Sequence, residues 1–344
     1  MRRKALIRAG LIILFLMFAV LPAGSARQAN TVSELAQPYS FGIAGWEADY
    51  LLRFGPARSD GLRVALGQQV SQILVEQGLT TSLGPFNFLF PPLRFELTEL
   101  PYLLVVSPRD TIRLSQTVLL NPSLSDAQVV QLETKMEKLG LSAVIERVGG
   151  VALYPSMVPE GGTIESTMST IAHEWFHQYL FFRPLGRAYW SSYDMTTINE
   201  TAANMVGQDI GEIAYRRFYG GGETDSPPQP IANATPPSGF DFNKEMRSIR
   251  LNVDSLLQRR EVEEAEDYME GRRLYLAEHG YFIRKLNQAY FAFHGTYADA
   301  PTSVSPLRDK LLELRRLSDS VGEFARLMAG ISTPQELDRL LQSR

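Results

Sequence analysis

The sequence predicts an α+β fold in which a small mixed-sheet lobe leads into two site-bearing helices, followed by an all-helical C-terminal region. Three observations predict it. Between about residues 91 and 155, short apolar runs and alternating apolar and polar residues indicate strands. Over 161–218 and 242–344, apolar residues recur at helical spacing. Residues 219–241, rich in glycine, proline and serine, are predicted to form a loop between these helical regions.

The composition is that of a globular protein with a sizeable core. The chain has 344 residues, of which 44% are hydrophobic and 21% charged, and it has no cysteine. The lack of cysteine excludes disulfides, thiolate metal sites and a cysteine nucleophile. The net charge of −4 gives no reason to expect nucleic acid as a partner. The length allows one large domain or two small ones.

Residues 1–26 are predicted to be a signal peptide or an N-terminal membrane anchor. Three basic residues at positions 2–4 precede a mainly apolar run from Leu6 to Ala23, and small residues follow at 24–26. The uninterrupted apolar stretch is short for a membrane span, so a cleaved signal is favoured and a retained anchor stays open. In either case we expect the remainder of the chain to be extracytoplasmic, with membrane contact only through this segment.

Residues 27–160 are predicted to contain helices and a lobe of four or five strands. The polar residues 27–41 are expected to be a tether, and two helices follow near 42–54 and 62–77. Ser125 is expected to cap a further helix that ends before Gly140. Strands are expected near residues 93–97, 103–106, 111–114 and 143–147.

The clearest chemistry lies in His173-Glu174-Trp175-Phe176-His177, an H-E-x-x-H pattern. Residues four apart lie on one face of a helix, so His173 and His177 can direct two imidazoles at one ion. Glu174, one step round the helix, can reach a water molecule beside that ion. Zinc lowers the pKa of such a water molecule, and a carboxylate can accept its proton. A helix face that carries these residues by chance is the alternative.

The helix around this pattern is predicted to be buried, which favours a metal site. Met168, Ile171, Trp175 and Tyr179 form one apolar stripe, and Phe176 adds apolar bulk beside the histidines. A helix that is apolar nearly all round lies inside a protein. Two buried histidines need polar partners, so we favour a metal site over a structural pair of histidines.

Glu200 is the predicted third ligand. Zinc held by two histidines needs a third protein ligand, and in catalytic sites the fourth position is left open. On the next predicted helix, Glu200 shares a face with Ala203, Asn204, Gly207 and Gly211, so this helix can pack very close to the histidines. Asn204 is expected to hydrogen-bond the ring nitrogen of a ligand histidine that does not face the metal ion. A packing helix with a chance glutamate is the alternative.

Together these residues resemble a known family. H-E-x-x-H at 173–177, followed by N-E-x-x-A-N-x-x-G at 199–207, resembles the two-helix signature of the gluzincin zinc metallopeptidases. The sequence is most similar to their bacterial aminopeptidase-like members. These similarly carry a glutamine after the second histidine, as at Gln178, and later segments that Leu286–Ala289 and Thr296-Tyr297 echo weakly.

The resemblance implies a zincin-type active site. It implies that His173, His177 and Glu200 are ligands of Zn²⁺ and that Glu174 is the general base. The sequence departs from the pattern at Asn204, where gluzincins commonly carry aspartate, and this alters the charge behind the ligands. The gap of 22 residues between the second histidine and the glutamate is slightly longer than usual.

The segment from Gly149 to Pro155 is a candidate substrate-binding edge. In gluzincins, an edge strand shortly before the zinc helix commonly pairs with the substrate backbone, and Gly149, Gly150 and Val151 occupy that place. Two glycines would let a peptide approach closely. A plain turn into a final strand is the alternative. The aminopeptidase branch usually has a glutamate in this strand, and this segment has none, so endo- and exopeptidase action both stay open.

A hydrolase of this kind also needs a hydrogen-bond donor for the oxyanion of the tetrahedral intermediate. Gluzincins take a tyrosine or histidine from the helical half that follows the ligands. The resemblance favours Tyr297, with His294 second, and a plain core or surface aromatic is the alternative for each. The helices predicted in this region cover Tyr281–Phe293, residues 306–317, residues 320–329 and a stretch capped by Thr333.

Three functional hypotheses follow from the sequence. The first is an exported zinc metallopeptidase, aminopeptidase-like by resemblance, that hydrolyses peptide or protein substrates with Glu174 as the base. The second is a zinc-stabilised extracytoplasmic binding or scaffold module without catalysis. The third is an enzyme with the same metal chemistry that acts on a non-peptide amide or ester. Replacement of Glu174 by glutamine separates the first from the second, because only an enzyme loses a measurable activity.

Overall fold

The computed structural model describes residues 26–52, 61–220 and 240–344. The predicted export segment up to residue 25 and most of the predicted loop at 219–241 lie outside these ranges, so both stay predictions. Within the described ranges, no helix is long and apolar enough to cross a membrane. The protein has an α+β fold with small sheets and many helices, as the sequence predicts.

The part before residue 160 contains helices and short strands. The helices are α1 (Ala26–Ala36), α2 (Ile43–Leu52), α3 (Gly61–Glu76) and α4 (Asp126–Glu137). The strands are β1 (Thr81–Leu83), β2 (Phe86–Phe88), β3 (Phe95–Thr98), β4 (Tyr102–Pro108), β5 (Gln116–Leu120), β6 (Leu141–Arg147) and β7 (Ser156–Pro159). Ser125 caps α4 through a reciprocal hydrogen bond with Gln128, and α4 ends before Gly140, as predicted.

The strands of the predicted mixed lobe form three small sheets. β1 and β2 form a hairpin, β3 pairs in parallel with β7, and β4 lies between β5 and β6 in an antiparallel sheet. Successive side chains of a strand point to opposite faces. Leu104 and Val106 therefore pack with α1 and α4 on one face of the antiparallel sheet, and Leu103 and Val105 belong to the core on its other face.

The strand predicted at Thr111–Leu114 is wrong, because β5 begins at Gln116. The hydroxyl of Ser107 donates to the carbonyl of Thr111 at 3.1 Å and accepts from the amide of Arg113 at 3.2 Å. These two bonds hold the segment in a turn, so its alternating pattern does not produce a strand. Burial of Leu114 in the core beside the sheet accounts for its apolar side chain.

The tether predicted at 27–41 is also wrong, because most of this segment is helical. α1 is polar by composition, but Val32 and Ala36 are buried against the antiparallel sheet and α4. Gln116 of β5 adds a side-chain hydrogen bond to the hydroxyl of Ser33 at 2.8 Å. Tertiary packing of two apolar side chains thus fixes a helix that local sequence does not indicate.

Two long helices form the centre of the molecule. They are α5 (Ile164–Phe181) and α7 (Tyr193–Phe218), joined through the short α6 (Pro184–Arg187). Thr163 caps α5 and Ser192 caps α7, since each hydroxyl accepts a hydrogen bond from an amide of the first turn. The predicted burial of α5 is confirmed, because Trp175 and Phe176 are both at most 1% exposed.

The C-terminal region is helical, as predicted. Its helices are α8 (Phe242–Gln258), α9 (Val262–Glu278), α10 (Gln288–His294), α11 (Leu307–Arg316), α12 (Val321–Ala329) and α13 (Pro334–Gln342). Residues from α11, α12 and α13 share the largest hydrophobic core with α3, α5 and α7. α8, α9 and α10 form a core of their own, and α10 also packs on the antiparallel sheet.

The helix predicted over Tyr281–Phe293 begins only at Gln288. The side chain of Asn287 accepts from the amide of Tyr290 at 2.9 Å and so caps the shorter helix α10. The residues directly before the cap are not helical, and one of them, Arg284, donates two hydrogen bonds to the buried carboxylate of Glu133 on α4. The ion pair between Arg284 and Glu133 therefore lies in the segment where the first two turns of this helix were predicted.

Candidate metal centre

The structure brings His173, His177 and Glu200 together from α5 and α7. Their potential ligand atoms all lie within 4.8 Å of one another. The Nε2 atoms of the two histidines are 3.0 Å apart. Oε2 of Glu200 lies 3.5 Å from Nε2 of His177 and 4.0 Å from Nε2 of His173. The predicted convergence of these three side chains is therefore present.

The geometry and chemistry of this group fit a zinc ion. Tetrahedral zinc with bonds of about 2.1 Å places its ligand atoms about 3.4 Å apart. Of the three observed separations, the one between the histidines is shorter than this and the two to Glu200 are longer. Two imidazoles and one carboxylate form a donor set typical of catalytic zinc. All three side chains also line one cleft of about 420 Å³, so one side of the group faces open space.

Glycines on α7 allow the two helices to approach this closely. A Cβ atom on Gly207 would lie 2.8 Å from Cβ of His173, and one on Gly211 would lie 2.1 Å from Oγ of Ser169. Real Cβ atoms do not approach other atoms so closely, so only glycine fits at these two positions. The predicted small-residue face of α7 is thus the face that contacts α5, and it delivers Glu200 to the histidines.

Two polar side chains orient the potential ligands. Nδ1 of His177 lies 3.0 Å from Oδ1 of Asn199, whose own amide nitrogen donates to the carbonyl of Leu185. Nδ1 of His177 is therefore the donor in this pair, so Nε2 of the neutral ring carries the lone pair that a metal ion would use. The hydroxyl of Tyr189 donates to Oε1 of Glu200, which leaves Oε2 directed at the histidines.

Glu174 is buried beside the three potential ligands and in contact with a glycine. It is 6% exposed and lines the same cleft. A Cβ atom on Gly150 would lie 2.1 Å from Oε1 of Glu174, so the backbone at Gly150 covers the carboxylate closely. The position beside the histidines is the one that the sequence predicts for a general base.

Burial shifts the pKa values of this group strongly. Burial raises the pKa of Glu174 to about 8, with His177 opposing and Glu200 adding to the shift. Burial, together with the nearby His177, lowers the pKa of His173 to about 3. For Glu200, burial alone would raise the pKa, but His177, His173 and Tyr189 together lower it to about 2. Glu200 in turn raises the pKa of His177 above its ordinary value, although burial opposes this.

The two predicted donors for the oxyanion are placed differently. Tyr297 lines the cleft, and its hydroxyl approaches Glu200. His294 is not among the residues that line this cleft. Its ring packs against Tyr290 with centroids 4.2 Å apart, and its Nε2 is buried without a hydrogen-bond partner. The geometry therefore favours Tyr297, whereas His294, at the end of α10, packs among aromatic rings.

Asn204 does not make its expected contact with a ligand histidine. It lines the cleft, but its Nδ2 donates to Oδ2 of Asp299 at 2.6 Å. The expected bond to a histidine is made by Asn199 instead. Asn199, directly before Glu200, therefore makes the hydrogen bond to a histidine that the sequence predicts for Asn204, one turn after Glu200.

The candidate substrate edge is present only in part. Gly149 and Gly150 line the cleft, whereas Val151 is 2% exposed and belongs to the core. Its amide donates to the carbonyl of Met157 at 3.0 Å, and its carbonyl accepts from the amide of Met157 at 2.9 Å. Val151 therefore does not line the cleft, and its backbone is already paired with Met157, so Gly149 and Gly150 are the part of the predicted edge that faces the cleft.

Tyr189, Asn199 and Asp299 are site residues that sequence reasoning missed. Asn199 belongs to the N-E-x-x-A pattern, and its place next to Glu200 is the signal that could have indicated it. Tyr189 lies in an aromatic run between the two helices, where its side-chain direction depends on the tertiary fold. Asp299 comes from a distant segment and accepts a hydrogen bond from Asn204.

No protein-family model, no curated protein and no solved structure matches the chain. The functional interpretation of this site therefore depends on its geometry and on the sequence pattern.

Proposed function

We propose that this protein is an exported, zinc-dependent metallopeptidase of the gluzincin type that hydrolyses peptide bonds. The observation that carries the proposal is the convergence of His173, His177 and Glu200 within 4.8 Å, with the buried carboxylate of Glu174 beside them. Two imidazoles, one carboxylate and an adjacent acid facing a cleft are what metal-assisted hydrolysis requires. The export part of the proposal depends on the N-terminal sequence pattern.

Each residue of the site has a separate role in the proposed hydrolysis. Zinc, when bound, supplies a Lewis acid that polarises a peptide carbonyl and makes a nearby water molecule easier to deprotonate. Glu174 accepts a proton from the attacking water molecule and returns one to the amine nitrogen as the C–N bond breaks. Tyr297 is the proposed donor to the negatively charged oxygen that develops on the carbonyl. Asn199 and Tyr189 keep the ligand side chains in their orientation.

A paired measurement of activity and metal content tests the proposal. The zinc-loaded full chain is expected to hydrolyse members of a broad peptide library. Glu174→Gln is expected to lose about 10²- to 10⁴-fold in kcat and to retain its zinc, because the glutamine is not a ligand. If no peptide is hydrolysed by protein with a full complement of zinc, the peptidase proposal fails.

The same experiment addresses the alternatives. A zinc-stabilised binding or scaffold module predicts that wild type and Glu174→Gln bind zinc equally and that neither hydrolyses anything. An enzyme acting on non-peptide amides or esters predicts activity on an ester and amide library that Glu174→Gln lacks. The cleft beside the three potential ligands and the buried position of Glu174 favour an enzyme over a module, since a structural zinc site is closed.

A further inference from the structure

The hairpin of β1 and β2 carries exposed aromatic side chains. Within the described residues, the two strands pair only with each other, and all three residues of β2 are exposed. Phe86, next to the turn at the tip, is 72% exposed, and Phe88 is 40% exposed. Exposed apolar side chains that lie together in this way indicate a surface that contacts a partner or a membrane.

The hairpin has one aromatic face and one polar face. Successive side chains of a strand point to opposite faces, so Phe86 and Phe88 lie on the same face. Asn87, between them, lies on the other face, where its Oδ1 accepts a hydrogen bond from the hydroxyl of Ser82 at 2.7 Å. Exposure of the aromatic side chains decreases from Phe86 at the tip through Phe88 to the half-buried Phe90. The hairpin is therefore amphipathic and most exposed at its tip.

The aromatic face continues onto the end of α5. The ring of Phe90 contacts two others, with its centroid 6.3 Å from that of Phe88 and 5.0 Å from that of Phe182. Phe182, the residue directly after α5, is 41% exposed. We call Phe86, Phe88, Phe90 and Phe182 the phenylalanine patch. None of them lines the cleft, so the patch is a surface separate from the candidate metal centre.

The two segments that form the phenylalanine patch carry positive charge only. Residues 77–95 and 175–193 contain no aspartate or glutamate, although the net charge of the chain is −4. Arg94 follows Phe90 by four residues, and Arg183 follows Phe182 directly. Neither arginine forms a salt bridge with a residue that the structure describes, and Nε of Arg183 is buried without a hydrogen-bond partner. The patch therefore combines aromatic rings with cations that can bind an anion.

We propose that the phenylalanine patch binds the surface of an anionic phospholipid bilayer. Phe86 and Phe88 enter the bilayer from the tip of the hairpin, and Arg94 and Arg183 bind lipid phosphates. Two strand residues rise by about 7 Å, which matches the depth of about 5–10 Å to which interfacial segments bury their apolar side chains. Aromatic side chains settle at the level of the lipid headgroups, and cations are attracted to anionic lipids.

Two observations favour a bilayer over a protein partner. The sequence predicts that residues 1–26 direct the chain to a membrane, whether or not this segment is cleaved. An anionic bilayer also presents negative charge directly above an apolar layer, and the patch presents cations beside apolar rings. The inference adds a second membrane contact to the one expected from residues 1–26, and it does not depend on the proposed hydrolysis.

A fluorescent label at the tip of the hairpin tests this binding in the full chain. The chain has no cysteine, so Pro85→Cys gives a single site for an environment-sensitive dye beside Phe86. The dye reports only its own surroundings, so binding through residues 1–26 does not mimic insertion of the hairpin. Vesicles of phosphatidylcholine and phosphatidylglycerol are expected to shift the emission to shorter wavelength. In vesicles of phosphatidylcholine alone, the ratio of inserted to free hairpin is expected to be about 10-fold lower.

Variants of the phenylalanine patch sharpen the test. With the dye at position 85, Phe86→Ser is expected to lower the ratio of inserted to free hairpin by about 10-fold, and Arg94→Gln by about 5-fold. Phe88→Ser is the second variant, in case Phe86→Ser does not fold. Phe282→Ser is the matched control, because Phe282 is 86% exposed and lies outside the patch. A dye on Leu251→Cys controls for the label, because Leu251 is 52% exposed on α8.

Several results would overturn the inference. They are an emission that does not change on anionic vesicles, an equal shift on phosphatidylcholine alone, and an unchanged shift in the folded serine variants of Phe86 and Phe88. A shift that occurs only on native membranes with their proteins would assign the patch to a protein partner. A shift that grows with protein concentration in the absence of lipid would assign it to a second copy of the chain. Both of these results also overturn binding to a bilayer.

Discussion

Replacement of Gly150 by alanine tests whether Glu174 acts from the position that it holds in the structure. A Cβ atom on Gly150 would lie 2.1 Å from Oε1, 2.7 Å from Cδ and 2.9 Å from Cγ of Glu174. An ordinary non-bonded contact is about 3.4 Å or longer, so the carboxylate would have to retreat by about 1.3 Å. A displacement of about 1 Å in a reacting group can cost about 100-fold in rate. We therefore expect kcat to fall about 100-fold.

The assay measures hydrolysis of an internally quenched peptide at saturating zinc, together with zinc affinity by competition with a chelator. Gly149→Ala is the matched control, because a Cβ atom on Gly149 meets nothing within 4 Å. Zinc affinity should be unchanged in both variants, since neither glycine contacts a ligand atom. Full activity in Gly150→Ala, or an equal loss in both variants, would refute the assignment of Glu174 as a base held in place by this contact.

Three further substitutions probe the site and its support. Tyr189→Phe removes the hydroxyl that donates to Glu200, and we expect zinc affinity to fall about 10- to 100-fold in a chelator competition. Gly211→Ala would place Cβ 2.1 Å from Oγ and 2.7 Å from Cα of Ser169, and we expect urea denaturation to show a loss of about 1–3 kcal/mol in the free energy of unfolding. Glu133→Ala leaves a buried amide without its acceptor and removes the shared carboxylate partner of Arg284 and Lys285, and we expect the same measurement to show a loss of about 2–3 kcal/mol, with zinc affinity unchanged.

Each of these variants has a control elsewhere in the chain. Tyr219→Phe alters an exposed tyrosine at the end of α7, Gly271→Ala adds a Cβ that meets nothing within 4 Å, and Glu137→Ala removes a half-exposed partner of Lys285. Unchanged zinc affinity in Tyr189→Phe would contradict the orienting role of its hydroxyl. Wild-type stability in Gly211→Ala would contradict the close helix contact, and wild-type stability in Glu133→Ala would contradict the link between lobe and helical region.

The convergence of the three potential ligands could be predicted because its geometry is local to two helices. His173 and His177 share a face by helical periodicity alone. Glu200 could be found because the small residues on its face predict a close helix contact, and the structure has that contact at Gly207 and Gly211. The caps at Ser125 and Thr333 likewise depend on neighbouring residues, so they too could be predicted from the sequence.

The errors concern features that depend on how distant elements meet. Whether Asn199 or Asn204 reaches a histidine depends on how α7 packs against α5, and the structure places Asn199 there. Val151 has the sequence of an edge residue, but Met157 pairs with its backbone. Likewise, α1 is helical because Val32 and Ala36 are buried against a sheet formed much later in the chain. In each case tertiary contact outweighs local preference.

The most direct test of the central claim is the zinc stoichiometry and affinity of the purified full chain and of His177→Ala and Glu200→Ala, with Leu251→Lys as control. The account predicts about one zinc per chain in the wild type and in the control. In the two ligand variants it predicts affinity lowered by at least about 100-fold, because only two protein ligands remain. A wild-type chain that binds no zinc, or variants that bind it as tightly as the wild type, would contradict the account.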